Sequence, residues 1–125
     1  MIHPTSIVDK NAKISKNVEI GPYCIIGAKV EIEAGTKLHS HVCIKGKTKI
    51  GKNNEFFSFV SIGSPPQDLK YKGENNSIVI GDNNKFREYV NINPGTSQGG
   101  TITKLGSNNL LMVYCHVAHD CDLGN

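Results

Sequence analysis

The sequence predicts an all-β protein, a parallel β-helix of about six coils. Three observations indicate this fold. An apolar residue recurs at every sixth position, a small or medium side chain recurs four places after it, and turn-forming residues separate the two. Only 38% of the 125 residues are apolar and 13 are glycine, a composition that indicates many turns around a narrow core.

The six-residue period begins at Ile2. A unit with two inward positions and turn residues between them is a short strand plus a corner, and three such units close one triangular coil. At ~4.8 Å per coil the rod would be about 30 Å tall. A helix is excluded because period six matches neither 3.6 nor 3.5 residues. Chance would give an apolar run of this kind with a probability on the order of one in ten thousand. The eleven apolar positions are Ile2, Val8, Ile14, Ile20, Ile26, Ile32, Leu38, Ile44, Ile50, Phe56 and Ile62.

Two segments interrupt the period. It breaks after Ile62, returns in phase at Ile80, and slips by one residue before it resumes at Leu105. We interpret 64–79 and 97–104 as loops that leave a single β-helix domain spanning residues 1–125, and loops on a repetitive rod commonly carry function.

A third pattern marks one corner of the coil. The motif is "IGKNN" from position 50, "IGDNN" from position 80 and "LGSNN" from position 105. Asn at the fourth place tolerates a left-handed backbone, and Asn at the fifth place can hydrogen-bond inside the corner. These segments are therefore predicted to be structural turns.

Charge and cysteine content restrict the function classes. A net charge of +3 is modest and argues against a nucleic-acid binder, and Lys45, Lys47 and Lys49 alternate as on a solvated strand face. The longest apolar run, 110–115, is too short to span a membrane, and the start "MIHPTS" does not resemble a signal peptide. We therefore expect a cytoplasmic protein whose cysteines (Cys24, Cys43, Cys115 and Cys121) are reduced.

The stretch "HVAHDC", 116–121, has three possible roles: a metal site, structural histidines, or a catalytic base with its acid. On an extended strand His116 and His119 would lie about 10 Å apart, too far to share one ion unless a corner bends between them. Continuing the period puts Val117 and Cys121 inward, and His119 and Asp120 outward. Cys115 falls on an inward position too, whereas in "HSHVC" at 39–43 the two histidines face outward.

The hexad pattern resembles the hexapeptide-repeat acyltransferase superfamily, which forms left-handed β-helices and trimers. Longer motifs narrow the resemblance. The stretches "SIGSPPQDLKYKGE" (61–74), "GTSQGGTITKLGSNNLLM" (95–112) and "HVAHDCDLGN" (116–125) are similar to those of the acyl-carrier-protein:UDP-N-acetylglucosamine O-acyltransferases, which open lipid A biosynthesis. The similarity follows the chain in order over essentially its whole length.

This resemblance implies the site residues and the partners. It implies that His119 is the catalytic base, that Asp120 supports it, and that Asp68 and Lys70 contact substrate, with Gln67 and His116 lining the same cleft between subunits. The partners implied are UDP-N-acetylglucosamine, an acyl carrier protein with a 3-hydroxyacyl thioester, and two further copies in a homotrimer. No cofactor or metal and no nucleic acid is expected.

The chain departs from the family in two respects. Residues 93–96 are Asn-Pro-Gly-Thr where many relatives have His-Arg-Gly-Thr, and the family's later coils and C-terminal helical domain have no counterpart before Asn125. Two alternatives stay open: a zinc enzyme similar to the carbonic anhydrases of this fold, and a non-catalytic β-helix fragment.

Overall fold

A computed structural model describes residues 1–63, 77–92 and 102–112, together with the backbone of strands 116–117 and 122–123. These residues form short strands and contain no helix. In chain order the strands are β1 Ile7–Val8, β2 Lys13–Ile14, β3 Glu19–Ile20, β4 Ile25–Ile26, β5 Val30–Ile32, β6 Lys37–Leu38, β7 Cys43–Ile44, β8 Lys47–Ile50, β9 Glu55–Phe56, β10 Ser61–Ile62, β11 Ser77–Ile80, β12 Lys85–Phe86, β13 Asn91–Ile92, β14 Ile102–Leu105, β15 Leu110–Leu111, β16 His116–Val117 and β17 Asp122–Leu123.

The strands form three parallel sheets. Face I contains β1, β4, β7, β10, β13 and β16; face II contains β2, β5, β8, β11, β14 and β17; face III contains β3, β6, β9, β12 and β15. Each strand pairs with the third strand after it, so three strands complete one coil. In the uninterrupted part, Ile7 pairs with Ile25 and Ile25 with Cys43, eighteen residues further along each time. The predicted coil of three hexads is confirmed.

The predicted inward row forms the core. From Ile20 to Leu111 the apolar hexad positions are buried, and the rings of Phe56 and Phe86 stack at 4.3 Å between centroids. At the described positions from Val18 to Thr103 the second inward row is buried. Ile2, the first member of the row, stays 44% exposed because it contacts the rod only through a bridge to Ile20.

The asparagine corners join face II to face III. The two predicted roles, left-handed backbone at the fourth place and a hydrogen bond inside the corner at the fifth, are confirmed. Asn53, Asn83 and Asn108 adopt φ angles of 56°, 59° and 63°. The buried Asn84 side chain connects three coils: its Nδ2 donates to Asn54 Oδ1 (3.0 Å) and Gly106 O (2.9 Å), and its Oδ1 accepts from Asn109 N (2.8 Å). These side chains hold successive coils at one spacing.

The two interruptions end earlier than predicted. Residues 77–79 and 102–104 were assigned to loops, but they lie in β11 (Ser77–Ile80) and β14 (Ile102–Leu105). Each of these strands buries two alternate residues, Ile78 with Ile80 and Thr103 with Leu105. The first residue of each pair belongs to the second inward row, which also admits threonine, so an apolar period alone did not locate it.

We predict that Asn84→Ala lowers the free energy of unfolding by about 2–4 kcal/mol, because it leaves the Gly106 carbonyl and the Asn109 N–H unpaired in the corner. Equilibrium urea denaturation would measure the change. The matched control is Asn83→Gly, which alters the adjacent exposed residue and keeps its left-handed backbone accessible. Equal losses in the two variants would contradict the role given to the buried amide.

Candidate functional site

All the predicted site residues except His116, which lies in β16, belong to connections between the same two faces. The chain passes from face I to face II between β10 and β11, between β13 and β14, and between β16 and β17. On face I, Ser61 pairs with Asn91 and Asn91 with His116, so β10, β13 and β16 are successive rungs. The segments 63–76, 93–101 and 118–121 therefore leave one edge of the rod on three successive coils. We call this edge the I–II corner.

Most of the predicted side chains lie outside the residues that the structure describes. This holds for Gln67, Asp68 and Lys70 in the first connection and for His119 and Asp120 in the third. His116 begins β16 in register with Asn91, and Val117 follows in register with the inward Ile92. The topology places the first and third connections, which carry the predicted side chains, at the same edge of the rod.

The first connection leaves the rod at Gly63, where the backbone requires glycine. Its φ angle is 85°, and a side chain there would collide with the carbonyl oxygen of Lys45 one coil below. Its N–H donates to Ile92 O at 2.9 Å, which ties the exit to the following coil. The start of the loop is thus fixed by both neighbouring coils.

The outward row of face I changes character along the rod. It begins with Ile7 and Ile25, 67% and 41% exposed, and continues through Cys43, Ser61 and Asn91 to the position of His116. The polar end of the row coincides with the coils whose connections carry the predicted site residues. An apolar row is thereby replaced by hydrogen-bonding groups beside the predicted site residues.

An exposed aromatic column follows the corner between face III and face I, and sequence reasoning missed it. Tyr23, His41, Phe59 and Tyr89 stack with centroid distances of 5.1, 4.9 and 5.4 Å. All four have positive φ angles, between 55° and 66°, which is uncommon for bulky side chains. Each directly precedes a residue of the second inward row, from Cys24 to Val90. This fixed position in the hexad is the sequence signal that could have revealed the column.

His39 faces outward as predicted, but it is a structural residue rather than a bare surface one. Its Nε2 lies 2.7 Å from Glu55 Oε2, and its ring stacks on Phe57 at 4.5 Å. The Arg87 guanidinium lies over the other side of Phe57, 4.0 Å from the ring centroid. In the part of the chain that the structure describes, no three His, Cys, Asp or Glu side chains converge as a metal site would require.

The two described cysteines have different surroundings. Cys24 is buried in the second inward row, as predicted, and Cys43 lies partly exposed on face I; both are free thiols. Burial raises the pKa of the Cys24 thiol, because the thiolate would lose its hydration. Lys45, Lys47 and Lys49 are exposed, which confirms a solvated strand face. Among the described residues no helix is long and apolar enough to cross a membrane.

We predict that iodoacetamide at pH 8 alkylates Cys24 at least about tenfold more slowly than Cys43, because burial limits access and the raised pKa lowers the thiolate fraction. Peptide mass spectrometry would follow each site separately in the native protein. The same measurement in denaturant is the control, where the two rates should converge. Equal rates in the native state would contradict the burial of Cys24.

Comparison with known proteins shows which enzymes the chain resembles. A family model described as "bacterial transferase hexapeptide (six repeats)" matches residues 1–34. The chain is 55% identical over 123 residues to the acyl-[acyl-carrier-protein]–UDP-N-acetylglucosamine O-acyltransferase of Psychrobacter sp. (strain PRwf-1), covering 98% of this chain and 48% of the relative.

Solved structures agree with this result. The UDP-N-acetylglucosamine O-acyltransferase of Moraxella catarrhalis superposes with a TM-score of 0.96 at 53% identity, over 98% of this chain and 48% of that one. In sequence and fold the chain is similar to about half of a UDP-N-acetylglucosamine acyltransferase. The Francisella novicida enzyme superposes with a TM-score of 0.97 at 45% identity, over 100% of this chain and 46% of that one. The fold is accordingly the left-handed parallel β-helix that the resemblance implies.

The matched region is only part of these acyltransferases. The chain spans about half the length of the curated relative and of the solved structures it matches. The activity of the whole protein is therefore a proposal, which rests on the similarity to these enzymes and on the I–II corner.

Proposed function

We propose that the protein transfers a 3-hydroxyacyl chain from an acyl carrier protein to the 3-hydroxyl of UDP-N-acetylglucosamine, the first step of lipid A biosynthesis. One observation carries the proposal. A chain that is 53% identical to a UDP-N-acetylglucosamine acyltransferase, with a TM-score of 0.96, has both interruptions of its repeat and the segment 118–121 at the same corner. The motifs that resemble the family's site occupy two of those connections.

General-base catalysis by His119 fits the chemistry of this transfer. A sugar hydroxyl is a poor nucleophile at neutral pH, so a base must take its proton as the new carbon–oxygen bond forms. An imidazole with an ordinary pKa of about 6.5 is largely neutral at pH 7 and can accept that proton. The carbon–sulfur bond of the thioester then breaks, and the proton held by His119 passes to the departing thiolate, which leaves as the thiol of the carrier protein.

Asp120 and the first connection supply the supporting groups in this proposal. A carboxylate beside His119 fixes the imidazole tautomer and stabilises the imidazolium that develops. Lys70 meets phosphate charge of the nucleotide, and Asp68 accepts hydrogen bonds from sugar hydroxyls. Gln67 and His116 line the same cleft. The segments that carry these residues share an edge of the rod, which supports their action on one ligand.

We infer further that the protein works as a cytoplasmic homotrimer. An outward histidine on a flat β-helix face has no pocket of its own, so a neighbouring subunit must close the cleft. The exposed aromatic column, with Tyr23, Phe59 and Tyr89 each 47–59% exposed, provides an apolar surface of the kind that subunit contacts cover. Sedimentation velocity giving the mass of three chains would support this state, and a monomer would contradict it.

We predict that His119→Ala in the full-length protein lowers kcat by about 10²–10⁴-fold, because the sugar hydroxyl loses its base. Release of carrier-protein thiol would measure turnover, and circular dichroism would confirm the fold. The matched control is His3→Ala, which removes an exposed histidine bonded only to its neighbour Thr5. Near-normal turnover of His119→Ala would contradict the assignment, as would stoichiometric zinc required for activity.

A further inference from the structure

Asn91 occupies the rung next to His116 on the outward row of face I. It is half-buried in β13, while the following residue, Ile92, points into the core. Its backbone is in register with His116 on one side and with Ser61 on the other. Two residues later the chain enters the connection 93–101. Asn91 therefore lies beside the I–II corner and belongs to the rod rather than to a loop.

The side-chain oxygen of Asn91 is buried and has no hydrogen-bond partner. Among the described residues only one other buried side-chain N or O atom, Glu88 Oε1, lacks a hydrogen bond, and that atom still lies 3.3 Å from Arg87 Nε. The amides of Asn54 and Asn84, by contrast, are fully used by neighbouring coils.

An unpaired buried acceptor is unfavourable for folding, since desolvation of the oxygen is not offset by a protein donor. The side-chain oxygen of Asn91 therefore does not contribute to the hydrogen bonds that hold the coils together. Its oxygen is shielded from water, so a donor that reaches it would form a hydrogen bond with little competition from solvent. Its place beside His116 directs that donor to the predicted cleft.

We propose that Asn91 is a specificity-determining residue whose amide oxygen accepts a hydrogen bond from the nucleotide-sugar substrate. The donor would be a sugar hydroxyl or the acetamido N–H, the two neutral donors of an N-acetylated sugar. This inference rests on the proposed function and adds a residue to its site. The proposed contact comes from the rigid rod. Strand register fixes the position of the Asn91 side chain more tightly than a loop would.

Two substitutions in the full-length protein test the proposal. Asn91→Leu removes the acceptor at similar volume and should raise the KM for UDP-N-acetylglucosamine about five- to tenfold, with little change in kcat. Its Tm should stay the same or rise, because an unpaired buried oxygen is lost. Asn91→Asp keeps an acceptor at the same place and should return KM to within about threefold of the wild type.

The control is Cys43→Ser, an outward position on face I two rungs from Asn91, which should leave KM unchanged. An unchanged KM in Asn91→Leu would overturn the proposal, and so would an equal rise in Asn91→Leu and Asn91→Asp. If the wild-type protein transfers no acyl chain, the proposed function fails. If it does and the three variants match it, only the role of Asn91 fails.

Discussion

The in-register stacking of parallel strands is the constraint on which the rest of this molecule depends. Successive residues of a strand point to opposite sides, so a one-residue shift inside a strand would move the core row to the surface. Leu105 follows Ile92 by thirteen positions, which is not a multiple of six, yet both residues are buried in the inward row. The irregular residues are absorbed in the connection between them. Extra sequence can enter this fold only at corners.

This constraint explains why the candidate site lies at one edge. The II–III corner is occupied by the asparagine ladder, whose amides bond three coils together and leave no room for an insertion. The III–I corner carries aromatic rings held in left-handed backbone, a conformation that costs roughly 1–2 kcal/mol per residue and is offset in part by ring stacking worth about 0.5–1.5 kcal/mol per pair. The I–II corner is the one left for insertions. Function is thus placed where the repeat is least constrained.

The sequence alone predicted the features that repeat. The core row from Ile20 to Phe56, the left-handed Asn53 and Asn83, and the inward Cys24 all follow from period and side-chain type. The predicted starts of β11 and β14 were wrong because Ile78 and Thr103 belong to the second inward row, where residue type is variable. The aromatic column was missed because its spacing, eighteen residues as far as Phe59 and thirty from Phe59 to Tyr89, becomes visible only when coils are stacked. The unpaired oxygen of Asn91 depends on its surroundings in space, which no pattern encodes. The roles of His119 and Asp120 came from family resemblance, since an outward His-Asp pair by itself also suits a metal or a structural role.

We propose that the three connections at the I–II corner bind one nucleotide sugar. A crystal structure of the full-length protein with UDP-N-acetylglucosamine tests this most directly. We expect the sugar at the I–II corner, with its 3-hydroxyl within hydrogen-bond distance of the His119 imidazole and a polar group of the ligand within reach of the Asn91 oxygen. A sugar bound at the III–I corner, or anywhere that leaves His119 beyond the reach of the hydroxyl, would contradict the account.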